Sequence, residues 1–252
     1  MKRSTLRRAL LLAPLLLMLS APTLLAQIPD SFENLKVFPK DIGKEELVGQ
    51  MRDMSAALGV RCTFCHHEKT PGDHRSIDWA SDELAHKRTA RGMLEMVQQL
   101  NGDLLPAAFE HSESHEDAPR VRCITCHRGL ENPETLDRVI LGVAHDKGVD
   151  AAIARYRELK DEYYGSGSYD FSAGTLVSAA QSLAQEGGDL DGALALVELD
   201  LEAYPEDTTL HTMKAQLLLS KDDKDGARKS AERALELDAH NRAASRILEQ
   251  LK

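Results

Sequence analysis

Two pentapeptides, Cys62-Thr63-Phe64-Cys65-His66 and Cys123-Ile124-Thr125-Cys126-His127, contain all four cysteines of the chain. No other feature limits the fold so strongly. Cys-x-x-Cys-His is the attachment sequence for c-type haem. Its two thiols can both reach the vinyl-derived carbons on one porphyrin edge, and the histidine that follows is carried beneath the ring as the proximal iron ligand. Zinc, a redox-active pair and a structural disulfide are the alternatives. Zinc knuckles keep their cysteine pairs roughly 15–20 residues apart, whereas Cys65 and Cys123 are 58 positions apart. A thioredoxin-type pair opens a helix after a strand, and no strand pattern precedes either motif. The sequence therefore predicts two covalently bound c-type haems. Cys62, Cys65, Cys123 and Cys126 would bind the porphyrin, and His66 and His127 the iron.

Residues 1–26 read as a secretory signal peptide. Lys2, Arg3, Arg7 and Arg8 precede an apolar run from Ala9 to Met18, and small residues lead to a cut after Ala26. An uncleaved membrane anchor is the alternative, opposed by Pro14 and Pro22, which interrupt the run. The leader carries four positive charges and no acids, so its removal takes the net charge from −10 to −14. Nucleic acid is an unsuitable partner for such a surface. A positively charged redox protein suits it, and peripheral membrane association is compatible with it. Covalent haem attachment and a secretory signal both point to the periplasm. Aromatic residues are sparse, with only Phe32, Phe38, Phe64, Trp79 and Phe109 between residues 27 and 149. Two porphyrins would supply the large apolar bodies that such a core lacks.

An amphipathic helix is expected over Lys44–Leu58, with Leu47, Met51, Met54 and Leu58 on one face and Gly59 closing it. A polar loop containing Pro71 and Gly72 follows. A second helix is expected from Asp82 to Leu100, closed by Asn101-Gly102, with a long loop over 103–119 and a short helix near 133–141. Met51-x-x-Met54-x-x-x-Leu58 aligns with Met93-x-x-Met96-x-x-x-Leu100, so a Met-x-x-Met helix, a turn and a haem motif occur twice. A thioether is a soft ligand that favours ferrous iron. Met51 and Met93 are accordingly the expected sixth ligands, with Met54 and Met96 packing beside them. Met96, His115 and His111 compete with Met93 for the second iron. His67, His74, His86 and His145 read as surface groups or propionate partners, and Lys87, Arg88 and Arg91 as a basic run facing propionates or solvent.

A second periodicity begins after about residue 148. Asp191-Gly192-Ala193 recurs as Asp225-Gly226-Ala227, and Tyr204-Pro205-Glu206-Asp207 falls opposite Asp238-Ala239-His240-Asn241, both with an offset of 34. That period with paired helices is the tetratricopeptide signature. Residues 151–156 read as one further repeat helix, displaced by an insertion over 164–169, and residues 242–251 as a capping helix. The expected division is a dihaem cytochrome c domain over 27–147 and a tetratricopeptide-like domain over 148–252. A chain ending near Lys147 would then keep both haems.

Asn34-Leu35-Lys36-Val37-Phe38-Pro39, Met51 through Cys62, Phe64-Cys65-His66, Lys87-Arg88-Thr89-Ala90-Arg91, Met93 to Asn101 and Cys123 through Gly129 together resemble a known pattern. It is the haem-binding repeat of the cytochrome subunit of photosynthetic reaction centres, matched over about residues 33–130. The resemblance implies a helix parallel to each haem plane, then a turn and the attachment motif, with methionine from that helix on most irons. One iron of that family takes histidine from a loop, and His115 sits in the comparable loop here. The family has four haems in two halves, whereas this chain has one half and a helical-repeat region, so a photosynthetic role does not follow.

The expected protein is all-α: a helix–turn–Cys-x-x-Cys-His multihaem cytochrome domain followed by a tetratricopeptide-like helical-hairpin domain. Its expected work is single-electron transfer between redox partners, with docking through the repeats and no enzymatic role. A peroxidase-like dihaem enzyme with one open distal site, or a haem-based sensor or assembly protein, are the alternatives.

Overall fold

The computed structural model describes residues 28–110 and 119–252. The signal-peptide leader, His111 and His115 lie outside the described residues. No helix among the described residues is long and apolar enough to cross a membrane.

Helix α1 spans Lys44–Leu58, as its apolar spacing predicts. Glu45 and Glu46 lie in its first turn, where carboxylates complement the helix dipole. Gly59 ends it in the left-handed region at φ 69°. Glycine is required there twice over, since a Cβ would also collide with the Gly129 carbonyl oxygen. The first motif follows as a single 3₁₀ turn, Cys62–Phe64. The polar loop beyond it is a small hairpin, in which β1 (His67–Glu68) pairs antiparallel with β2 (Ile77–Asp78).

Helix α2 covers Ala85–Gln99 and does not stop at Asn101. It runs through a π turn, Leu100–Leu104, into the one-turn helix α3, Leu105–Ala108. Asn101 pairs with a distant peptide instead of ending the helix. Its amide donates to the Val121 carbonyl at 2.8 Å and accepts from the Val121 amide at 2.8 Å. The second motif is helical, as α4 (Cys123–His127), and Arg128 closes it in the left-handed region at φ 49°.

Helices α5 (Leu136–Lys147), α6 (Val149–Tyr163), α7 (Val177–Glu186), α8 (Leu190–Ala203), α9 (Thr208–Ser220), α10 (Lys224–Leu237) and α11 (Arg242–Gln250) form a stack. The 34-residue period is written into its caps. Asp189 accepts from Gly192 N at 2.8 Å and Asp223 from Gly226 N at 2.9 Å. Asp207 accepts from Leu210 N at 2.9 Å and Asn241 from Ala244 N at 3.0 Å. Gly192 and Gly226 recur because a Cβ at either would run into the capping carboxylate. Ala193 and Ala227 are fully buried and let neighbouring helices approach closely.

Helix α5 falls on the other side of the division expected at Lys147. Leu136, Ile140 and Ala144 share one core with Ala152, Tyr156 and Leu159 of α6 and with Ala179, Ala180 and Leu183 of α7. Gly148 is only the bend between α5 and α6. The segment after Tyr163 also folds back onto the stack. Phe171 packs against Tyr156, its carbonyl accepts from the Tyr204 hydroxyl at 2.5 Å, and the buried Asp200 carboxylate accepts from Gly174 N at 3.0 Å.

Candidate metal centres

The two motifs are each braced by the helix that leads into the other. The end of α1 packs against α4, where Gly129 N donates to the Ala57 carbonyl at 2.8 Å. The start of α2 packs against the first motif: the His86 ring stacks on Phe64 at 3.9 Å, and His86 Nδ1 lies 3.0 Å from the Phe64 carbonyl. His86 is exposed, as expected of a surface group, and uses one face of its ring for this contact. Asn101, just past the end of α2, orders the approach to Cys123 through Val121.

All four cysteines are free thiols. Burial pushes the Cys65 thiol up, with Cys62 adding to the effect and Lys87 opposing it. Burial also raises Cys123. A redox-active pair needs a depressed thiol pKa, and burial moves Cys65 and Cys123 the other way.

His66 is half-buried, and burial lowers its pKa to about 4, assisted by the positive charge of Lys87. The ring is therefore neutral at pH 7, as an iron ligand must be. Its Nδ1 is buried with no hydrogen bond of normal geometry, although the Trp79 carbonyl opposes the lowering of the pKa from nearby. The Trp79 ring meets the imidazole edge-on at 5.0 Å. His127 is buried, and its Nδ1 lies 2.9 Å from the Leu130 carbonyl. A carbonyl only accepts, so Nδ1 donates, and Nε2 is the ring nitrogen left to face a metal.

Met51 and Met54 lie half-buried on α1, Met93 and Met96 exposed on α2. No residue of α2 is buried, and Met93 (37%) and Met96 (42%) on α2, Leu104 (52%) in the π turn and Ile124 (41%) in α4 are large apolar groups left exposed. An amphipathic helix buries its apolar stripe against something, and a porphyrin face is a body of suitable size and polarity. The free thiol pairs, the neutral His66 ring, the His127 ring oriented through its Nδ1 hydrogen bond and this uncovered apolar surface fit covalent haem. Among the described residues no cluster of three or more histidine, cysteine or carboxylate side chains could hold a bare metal ion.

The basic run divides. Lys87 donates to the Trp79 and Ser81 carbonyls at 2.7 and 2.8 Å, and Arg91 pairs with Asp82 at 2.8 Å. Asp82 also binds Lys36 at 2.7 Å and Asn34 at 2.9 Å, and these partners hold its carboxyl well below the usual carboxylate range. Arg88 caps the Asp82 and Glu83 carbonyls. Periodicity does not reveal Trp79, Asp82, Asn101 or the His86–Phe64 stack. Their contacts join residues far apart in sequence, such as Asn34 and Asp82.

The family described as photosynthetic reaction centre cytochrome C subunit matches residues 36–133 and 71–171, which together take in more than half of the chain. A photosynthetic reaction center cytochrome c subunit of Roseobacter denitrificans is 34% identical over 91 residues, covering 33% of this chain and 22% of that protein. Its counterpart in Rubrivivax gelatinosus is 32% identical over 94 residues, 35% of this chain and 24% of the relative. Cytochrome c-554 of Chloroflexus aurantiacus is 26% identical over 107 residues, 39% of this chain and 23% of the relative. The matches thus span less than a quarter of each of these relatives. With two Cys-x-x-Cys-His motifs built as described and a match across more than half of its length, the chain belongs to the photosynthetic reaction centre cytochrome c subunit family.

Proposed function

We propose that the protein is a periplasmic dihaem c-type cytochrome that passes single electrons between redox partner proteins. The observation that carries this reading is the state of the two motif histidines. One ring is held neutral by burial, and the other donates Nδ1–H to a backbone carbonyl, beside free thiol pairs and an apolar helix face with no buried residue. Bound haem would supply an iron that cycles between ferrous and ferric states. Cys62 and Cys65 would hold the first porphyrin and Cys123 and Cys126 the second, with His66 and His127 as proximal ligands. Met51 and Met93 would take the sixth positions, each from the helix that precedes its own motif. The α5–α11 stack, read as tetratricopeptide-like, would dock a partner protein.

Intact mass tests the reading. The purified protein is expected about 1.2 kDa above its processed chain, because each thioether-bound haem adds roughly 0.6 kDa. A protein of apoprotein mass that contains zinc would sink it. Reduced spectra unchanged by carbon monoxide are expected if both sixth positions are filled, and a carbon monoxide adduct would point to an enzyme with an open site.

A further inference from the structure

The helical stack reaches back to the second motif through one buried hydroxyl. Ser168, 3% exposed, belongs to the segment between α6 and α7. Its Oγ donates to the Arg128 carbonyl at 2.7 Å, forty residues away in sequence. Ser166 sets the Ser168 backbone by accepting from Ser168 N at 3.1 Å, and Ser166 Oγ lies 3.0 Å from Ser168 Oγ and 2.7 Å from the Tyr163 carbonyl.

The peptide that Ser168 grips is a strained one. Arg128 sits at φ 49° and Gly129 at φ 88°, and the left-handed conformation is unfavourable for a residue that carries a Cβ, as Arg128 does. Four hydrogen bonds hold this turn: Ser168 on the Arg128 carbonyl, Arg128 N on the Ile124 carbonyl at 3.2 Å, Gly129 N on the Ala57 carbonyl at 2.8 Å, and Leu130 N on the His127 carbonyl at 2.8 Å. The turn delivers the Leu130 carbonyl to His127 Nδ1 at 2.9 Å. Leu130 itself is buried, so the carbonyl has little freedom once the turn is fixed.

We propose that Ser168 is a positioning residue for His127: by fixing the Arg128–Gly129 turn it sets the hydrogen bond between His127 Nδ1 and the Leu130 carbonyl. The inference rests on His127 being an iron ligand, as proposed above. A carbonyl that accepts from the far nitrogen of a ligating histidine fixes the ring plane and raises its basicity, and so favours the ferric state. The stack thereby tunes the second centre without touching the iron, and the first motif has no corresponding tie, since His66 Nδ1 lacks a hydrogen bond of normal geometry.

Redox titration of the full-length protein in Ser168→Ala tests this. Wild type must first show two covalent haems, and Cys123→Ala/Cys126→Ala identifies which redox wave belongs to the second motif. Absence of a second wave in wild type would speak against the dihaem reading, not against Ser168. Given two waves, Ser168→Ala is expected to raise the potential of the second centre, change its low-spin electron paramagnetic resonance signal and leave the first unmoved. Ser168→Thr, which keeps the hydroxyl, is expected to restore both. Lower thermal stability with an unchanged second wave and signal would overturn the proposal and leave Ser168 as packing alone. Should Ser168→Ala fail to accumulate, the exposed Ser166→Ala carries the test, with a smaller rise in the same wave expected and an unmoved wave overturning the proposal.

Discussion

At the scale of single residues, Asp82 is the clearest organiser of the N-terminal region. One carboxylate gathers Lys36 at 2.7 Å, Arg91 at 2.8 Å and the Asn34 amide at 2.9 Å, joining the extended lead to α2. Its folded pKa lies below the unfolded value, so its contribution is complete above about pH 4, the ordinary aspartate value. That contribution is lost as pH falls through the lower, folded value. Asp82→Asn is therefore expected to lower stability at pH 7 and to flatten the acid limb of the unfolding curve followed by circular dichroism. An acid limb as steep as that of wild type would show that Asp82 plays no such part. Met51 is the residue on which the proposed ligation of the first centre is best probed. Met51→His is expected to lower one reduction potential by about 100–200 mV, given the range that axial ligands command. An unchanged potential would leave Met51 as a packing group.

At the scale of elements, legibility follows how local the determinants are. Helix α1 is readable in full because its apolar spacing, its acidic first turn and the Gly59 stop lie within sixteen residues. The end of α2 is not, because Asn101 looks like a stop signal while its amide is committed to Val121, twenty residues on. The β1–β2 hairpin is hidden too, since two-residue strands leave no alternation to detect. The attachment motifs announce themselves, whereas the Leu130 carbonyl behind His127 is backbone and leaves no mark on side-chain sequence. Glycine substitutions test these local arguments in opposite directions. Gly59→Ala forces a left-handed alanine against the Gly129 carbonyl and is expected to cost well over about 1 kcal/mol, with lower thermal stability. Gly142→Ala, inside α5 with open space around its Cβ, is expected to add roughly 0.5–1 kcal/mol. Equal effects of the two in thermal denaturation would refute the geometric account.

At the scale of the whole molecule, the two periodicities suggest a cut near Lys147, and the packing opposes it. The apolar spacing of α5 tells that it is a helix with one buried face. Spacing cannot say which neighbour covers that face, and here the covering is by α6 and α7. A chain ending after Lys147 would expose Leu136 and Ile140, which are 2% and 0% accessible in the intact protein. Burial of side chains of this size is worth about 1.5–3 kcal/mol each. The same cut removes Ser168 and with it the tie to the Arg128 carbonyl. The truncated chain is therefore expected to aggregate, or to accumulate with the second centre lost or shifted in potential while the first is retained. Haem content by pyridine haemochrome, read beside the sedimentation profile of the truncated and full-length proteins, decides the matter. A soluble truncated monomer with both haems at their native potentials would mean that α5 stands without its partners and that the stack contributes nothing to the second site.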